Sequence, residues 1–233
     1  MARVLCIGGL DATGRAGLLA DTWAVRAAGA EPLAVATALT AQGGRRFSLN
    51  PVPLAVLSAQ LDAAFASGVD AVKLGMIADR AQLSRVARLV KSAHVRHLVV
   101  DPVTRTSRGE RLSSLTPSDY HSLASLRPWL LPNVAELAWF RCSAASLVEE
   151  GFAGVLVKGG DTAADILVRG FGESVFRSTP VRRDHSRHRG TGCRLASAIA
   201  AHLSRGEAPE RAIRRARALV LEFLSTPIMP PAA

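Results

Sequence analysis

The sequence predicts an α/β fold, a three-layer arrangement with a mostly parallel central sheet and helices on both faces. Two observations carry this. Short apolar runs rich in Val, Ile and Leu recur along the chain, and segments with helical periodicity separate them. A third observation, paired strand-like runs around a turn-forming stretch late in the chain, predicts an antiparallel hairpin at one edge.

The runs at residues 4–7, 33–37, 71–74, 97–101, 129–131 and 154–157 read as buried strands, since parallel strands covered on both faces are apolar throughout. Between them, residues 16–28, 54–66, 81–92 and 117–126 repeat their apolar positions at helical spacing, as crossover helices of a doubly wound sheet do. After Lys158 the pattern changes: residues 164–168 and 174–179 flank Arg169-Gly170-Phe171-Gly172-Glu173 and predict the hairpin. Two helices, over 192–205 and 208–224, close the chain, with Gly206 where the first needs a C-terminal cap. Residues 227–233 carry three prolines and are expected to fray. With no linker, repeat or low-complexity stretch, residues 1–233 read as one domain.

The 48% hydrophobic content suits a sizeable core, and the 21% charged fraction argues against disorder. No window approaches the roughly 18 consecutive apolar residues of a membrane span, and Met1-Ala2-Arg3-Val4-Leu5-Cys6-Ile7 is too short for a signal peptide, so a cytoplasmic protein is expected. Cys6, Cys142 and Cys193 lack the paired spacing of zinc sites or disulfide frameworks and read as reduced thiols. The net charge of +10 attracts polyanions, yet the arginine-rich stretch 177–217 lacks interleaved aromatics and the chain has one Tyr, which argues against nucleic acid. The sequence leaves a homodimer open.

Ligands of open α/β sheets bind beyond the C-terminal strand ends, so polar residues there are the functional candidates. Gly8-Gly9-Leu10-Asp11 follows the first strand, and Gly14-Arg15-Ala16-Gly17 leads into a helix carrying Asp21; the glycines admit a ligand or simply form a turn. Arg189-Gly190-Thr191-Gly192-Cys193 opens a long helix, where exposed backbone N–H groups would hold a phosphate and stabilise charge developing on a transferred phosphoryl oxygen. Cys193 falls in that first turn. The helix dipole and Arg194 would lower its thiol pKa and let it act as a base, or it is a small buried hydrophobe. Asn133 and Glu136 share one face of a helix start, either as oxygen ligands for hydrated magnesium or as a cap. Lys158 stands at a strand end beside two glycines, as a nucleotide or phosphate contact would.

Together these pieces resemble one family, the hydroxymethylpyrimidine and phosphomethylpyrimidine kinases of thiamine biosynthesis, within the ribokinase-like superfamily. The resemblance rests on Gly9-Leu10-Asp11 with Gly14, Ala16-Gly17 and Ala20-Asp21, Thr37-Ala38-Leu39 with Ala41-Gln42, Lys73-Leu74-Gly75-Met76, Val100-Asp101-Pro102-Val103, Pro132-Asn133 with Glu136, Val157-Lys158-Gly159-Gly160 and Gly190-Thr191-Gly192-Cys193. It implies a ribokinase-like sandwich and ATP-dependent phosphorylation of 4-amino-5-hydroxymethyl-2-methylpyrimidine, of its monophosphate, or of both. By resemblance, Gln42 bonds the aminopyrimidine, and Gly9, Asp11, Ala16, Met76 and Val103 wall the substrate, with Asp21 near the hydroxymethyl end. Asp101, Lys158 and Thr191 face the nucleotide, Asn133 and Glu136 organise Mg2+, and Cys193 is the base over the anion hole formed by Gly190, Thr191 and Gly192. Departures accompany the match. Arg15 stands where the family usually has glycine, Arg194 where a small or hydroxyl residue is usual, and Thr40 and Thr104 replace apolar residues. The segment after Val103, residues 104–109, is more basic, and the stretch from Glu136 to Val155 is shorter. A kinase of pyridoxal-like rings and a noncatalytic pyrimidine or nucleotide sensor are the competing readings.

Overall fold

Strand β1 (Arg3–Asp11) lies near the middle of the sheet and shows how it is built: Val4 and Cys6 pack into the hydrophobic core on one face, Leu5 and Ile7 into the core on the other. Side chains alternate along a strand, so a strand buried on both sides must be apolar at every position. Each such fully buried Leu or Ile stabilises the fold by roughly 1.5 to 3 kcal/mol.

The computed structural model describes residues 1–42, 47–106, 108–160, 164–177 and 189–225. After β1 come α1 (Gly17–Ala27), β2 (Glu31–Ala41), β3 (Ser48–Pro51), α2 (Leu54–Ala66), β4 (Ala71–Leu74), α3 (Arg80–Ser92), β5 (His97–Val100), α4 (Pro117–His121), β6 (Trp129–Leu130), α5 (Val134–Phe140), α6 (Ala144–Glu150), β7 (Gly154–Val157), β8 (Ala164–Arg169), β9 (Gly172–Arg177), α7 (Thr191–Ser204) and α8 (Pro209–Ser225). The strands form a single sheet in the order β3-β2-β1-β4-β5-β6-β7-β8-β9. β2, β1, β4, β5, β6 and β7 are parallel neighbours, whereas β3 and the β8–β9 hairpin run antiparallel. One core joins the sheet to α1, α7 and α8, and the other joins it to α2 through α6, which completes the three layers. No helix among the described residues is long and apolar enough to cross a membrane.

The sequence pattern places the six parallel strands and the hairpin correctly. It misses β3, an exposed strand of four residues, so both sheet edges are antiparallel rather than one. It gives only the start of α5, at Asn133 and Glu136, and misses α6; each is seven residues long and too short to display a period. The helix expected over 117–126 is broken. A capping box, with Thr116 Oγ1 and Asp119 Oδ2 2.8 Å apart, starts α4, which ends at His121; a 3₁₀ turn follows over Ala124–Leu126, and Arg127 turns left-handed at φ 50°. Gly206 has φ +81°, as the predicted cap after α7 requires. The tail 227–233, positions 178–179 of the expected second hairpin strand, and Ser107 lie outside the described residues.

The chain leaves β1 toward β2 on one side and later returns to β4 on the other. This reversal opens a crevice beyond the C-terminal ends of β1 and β4.

Candidate active site

The crevice is a cavity of about 630 Å³. Its wall includes Gly9, Ala16, Asp21, Gln42, Met76, Val103, Asp101, Lys158, Asn133, Glu136 and the run from Gly190 to Cys193, so the structure brings together nearly every residue that the sequence singles out. Asp11 is the exception. Its carboxylate accepts from Thr13 N at 3.1 Å and Thr13 Oγ1 at 2.9 Å and braces the β1–α1 turn, outside the cavity wall.

The turn itself is shaped by close approach. Gly17 has φ +60°, and a Cβ there would come within 2.2 Å of Gly9 O. Gly190, at φ +75°, is likewise packed against the turn: a Cβ would meet Arg15 O at 2.3 Å and Ala16 Cα at 2.8 Å. The phosphate-type N-terminus of α7 is therefore pressed onto the turn after β1. Arg194 fastens the two. Its Nη1 donates to Arg15 O at 2.9 Å and Arg189 O at 3.1 Å, and its guanidinium lies 3.9 Å from the centre of the Phe223 ring. Gly190→Ala is expected to destabilise the protein by about 1 to 3 kcal/mol through left-handed strain and to weaken ATP binding. Thermal unfolding and calorimetric titration with ATP would check it, and an unchanged Tm would show that the turn yields.

Beneath this loop lies a chain of alternating buried charges. Lys73 of β4 donates to Asp21 of α1 at 2.9 and 3.0 Å, and Ser197 of α7 also donates to Asp21, at 2.8 Å. Lys73 Nζ is 4.0 Å from Asp101 Oδ2, Lys158 Nζ bonds Asp101 Oδ1, and Lys158 Nζ is 3.7 Å from Glu136. Burial alone would lower the Lys73 ammonium, but Asp21, then Cys193 and Asp101, hold it above its ordinary range. Burial alone would raise Asp101, yet Lys158 and Lys73 keep this carboxyl below the usual range and ionised. Asp101 Oδ2 is buried without a hydrogen-bond partner among the described residues.

Of the two sequence readings of Cys193, the lowered thiol pKa is not observed. Burial pushes its thiol up to about 12, and the cation that opposes this is Lys73 rather than Arg194, which is turned back onto the loop carbonyls and Phe223. Desolvation and the Asp101 and Asp21 carboxylates outweigh what Lys73 and the first helical turn contribute.

Asn133 and Glu136 cap each other: Glu136 N donates to Asn133 Oδ1 at 2.8 Å, and Asn133 N donates to Glu136 Oε2 at 2.7 Å. The cap reading is the one observed. Among the described residues no group of three His, Cys, Asp or Glu could hold a metal. Glu136 stands on the cavity wall, where one carboxylate together with phosphate oxygens is the donor set that a hydrated magnesium ion would use.

Where the cavity meets the end of β2, Gln42 Nε2 donates to Thr40 Oγ1 at 2.9 Å, while Arg189 Nη2 bonds Gln42 Oε1 and Nη1 reaches Gln42 O at 3.3 Å. The apolar wall is Met76, Val103 and Leu112. Thr37 Oγ1 fixes Met76 by donating to its carbonyl at 2.7 Å. The sequence reading takes in Lys73, Arg108 and Arg189 within its motifs without giving any of them a role, and it does not single out Leu112 or Ser197. Lys73 did leave a signal, a lone charge inside an apolar strand, which asks for a buried partner.

A sequence model of the phosphomethylpyrimidine kinase family matches residues 11–230, almost the whole chain. The chain belongs to this family. It is 33% identical over 235 residues to the hydroxymethylpyrimidine/phosphomethylpyrimidine kinase of Streptomyces coelicolor, covering 93% of this chain and 86% of that one. It is 34% identical over 230 residues to the thiamine biosynthesis multifunctional protein ThiED of Corynebacterium glutamicum, covering 91% of this chain and spanning 30% of that longer protein. Among solved structures, the phosphomethylpyrimidine kinase of Clostridium difficile superposes with a TM-score of 0.77 at 25% identity over 94% of this chain and 99% of that one. The pyridoxal kinase of Staphylococcus aureus in complex with pyridoxal superposes with a TM-score of 0.86 at 22% identity, over 99% and 91% of the two chains, and shares the ribokinase-like fold. Two departures from the family pattern thereby gain a structural account. Arg194 fastens the phosphate-type loop to the β1–α1 turn, and Thr40 holds the Gln42 amide.

Proposed function

We propose that this chain transfers the γ-phosphoryl group of ATP to 4-amino-5-hydroxymethyl-2-methylpyrimidine, to its monophosphate, or to both, in the supply of thiamine precursors. The observation that supports this best is convergence: the N-terminus of α7, the Cys193 thiol, the Lys158 ammonium and the Gln42 amide all line one cavity.

In this reading the backbone N–H groups at Gly190, Thr191 and Gly192 hold the transferring phosphoryl group, where fixed dipoles stabilise its charge without reorganising water. Lys158 reaches the same place, since a Cβ on Gly192 would lie 3.4 Å from its Nζ. Magnesium, beside Glu136, would offset phosphate charge when bound. Gln42 reads the ring, its amide orientation fixed by Thr40 and Arg189. For an alcohol acceptor, the hydroxyl proton passes to Cys193 Sγ as the thiol proton moves to the ionised Asp101 carboxylate. The new P–O bond forms and ADP leaves. Asp101 relays that proton in transit by its placement: it is ionised, the thiol hydrogen-bonds it, and its Oδ2 has no other partner among the described residues, while Lys158 and Lys73 keep it a weak base that does not retain the proton.

A coupled ADP-release assay across the hydroxymethylpyrimidine, its monophosphate, pyridoxal, pyridoxine and ribose, with magnesium present, tests the reading. Turnover is expected with a pyrimidine acceptor. Turnover only with a pyridoxal-like ring or ribose would transfer the assignment to another acceptor class, and absence of any ADP release would leave a binding protein.

A further inference from the structure

Arg194 is a cation enclosed without an ionic partner. It is 6% exposed, and among the described residues its guanidinium is met by carbonyl oxygens and ring faces rather than by a carboxylate. Nη1 donates to Arg15 O at 2.9 Å and to Arg189 O at 3.1 Å, and reaches Gly190 O at 3.4 Å. Gly190 O also accepts from Arg194 N at 3.0 Å. The guanidinium carbon lies 3.9 Å from the centre of the Phe223 ring, in the last turn of α8, and 5.5 Å from that of Trp23 in α1. Nε is buried without a hydrogen-bond partner among the described residues. Desolvating a cation without an anion is costly, so the charge-assisted bonds to the carbonyls are what hold it there.

Those carbonyls matter because of what lies at the other end of each peptide. A trans peptide is planar, so its C=O and N–H point in opposite directions. Arg189 O and the Gly190 N–H belong to one peptide, and Gly190 O and the Thr191 N–H to the next. A guanidinium that collects both oxygens therefore turns both N–H groups away from itself. Arg194 does not line the cavity, whereas Arg189, Gly190 and Thr191 do. An oxygen rotated toward the cavity would confront a phosphate with the negative end of a dipole, where the N–H end stabilises it. We propose that Arg194 is a positioning residue for phosphoryl transfer: it holds the carbonyl ends of the loop peptides behind the N-terminus of α7, so that their N–H ends face the transferring group. Phe223 and Trp23 hold the guanidinium in place, which ties α8 and α1 to the loop. The inference rests on the reading of that N-terminus as the phosphate site and names the device that sets it.

The test compares the wild type with Arg194→Met, Arg194→Lys and Phe223→Leu. Methionine keeps an unbranched apolar chain against the two rings and removes every donor; lysine keeps the charge on a single ammonium; Phe223→Leu keeps the donors and removes a ring. Calorimetric titration with ATP and with ADP, and steady-state kinetics with the pyrimidine acceptors, are run at a temperature where circular dichroism shows each variant folded. ADP lacks the γ-phosphoryl group that the loop holds, so it reports the rest of the nucleotide site. Arg194→Met should lower ATP affinity relative to ADP affinity about 10-fold and kcat about 10- to 100-fold, the worth of charged hydrogen bonds. Arg194→Lys should recover part of both, and Phe223→Leu should show a smaller loss in the same direction. A lower Tm with the affinity ratio and kcat unchanged would mean that Arg194 only packs, and overturns the proposal. Equal losses of ATP and ADP affinity overturn it too, since the residue would then shape the nucleotide site as a whole. If Arg194→Met fails to fold, the same ratio in Arg194→Lys and Phe223→Leu decides. A wild type that turns over no acceptor overturns the kinase reading; a lowered ATP-to-ADP ratio in the variants would still uphold the role of Arg194, and an unchanged ratio would overturn that as well.

Discussion

Cys193→Ala should slow transfer to the alcohol acceptor about 100- to 10,000-fold, the usual contribution of a positioned proton acceptor, and leave transfer to the monophosphate close to wild type. The two acceptors differ in what they need. A hydroxymethyl oxygen keeps its proton until it attacks, so something must take it. A phosphomonoester with a second pKa near 6 is already ionised above neutral pH and needs only positioning. Burial pushes the Cys193 thiol up to about 12, so the resting group is the thiol and its work is to pass a proton on to Asp101. The alcohol rate should therefore be level between about pH 6 and 9, without the rising limb of an ordinary thiol near 8.5. The monophosphate rate should fall below about pH 6 as the acceptor is protonated. Cys193→Asp should restore part of the alcohol rate. Stopped-flow or steady-state kinetics with both acceptors, with ATP affinity measured separately, decide it. Equal losses with both acceptors would mean that the thiol places the nucleotide, and full activity with both would mean that it only packs.

That the thiol's direction was misjudged from sequence shows where sequence reasoning ends at this site. The dipole of α7 and the neighbouring Arg194 are legible in Gly190-Thr191-Gly192-Cys193-Arg194; that Lys73, Asp101 and Asp21 act on the thiol depends on contacts between distant segments. The parallel strands were legible because each is an apolar run buried on both faces. β3 and α6 were not, because their length leaves no period to read, and α5 showed only its start. Asn133 and Glu136 carry the spacing of a capping box, and the hydrogen bonds confirm the cap; the same spacing was also open to a metal reading, since both uses need oxygen atoms on one face. Asp11 shows the converse. It ends a strand at the crevice as a ligand residue would, but Thr13, two positions on, satisfies its carboxylate locally.

Lys73→Met should destabilise the protein by about 3 to 5 kcal/mol, the cost of leaving one partner of a buried ion pair alone, or very roughly 6 to 20 °C in Tm for a chain of this size. The ammonium is 1% exposed and the Asp21 carboxylate fully buried, so the pair is held out of bulk water. The site is also shaped to hold a lysine, because a Cβ on Gly75 would lie 2.7 Å from Lys73 Nζ. Once the lysine is gone, Ser197 remains as the hydrogen-bond donor to Asp21 among the described residues, and burial favours the protonated acid. The sign of the pH dependence follows. A carboxyl whose folded pKa lies above its unfolded value contributes stability below the unfolded value and loses it as pH rises through the folded one. The deficit of Lys73→Met should accordingly be larger at pH 8 than at pH 5. Adding Asp21→Asn removes the unpaired charge and should recover much of the loss, which makes the two substitutions strongly non-additive. Urea or thermal unfolding of the wild type, both single variants and the double variant at the two pH values measures all of this. Additive losses with no pH dependence would mean that Lys73 serves by filling volume and that its charge contributes nothing.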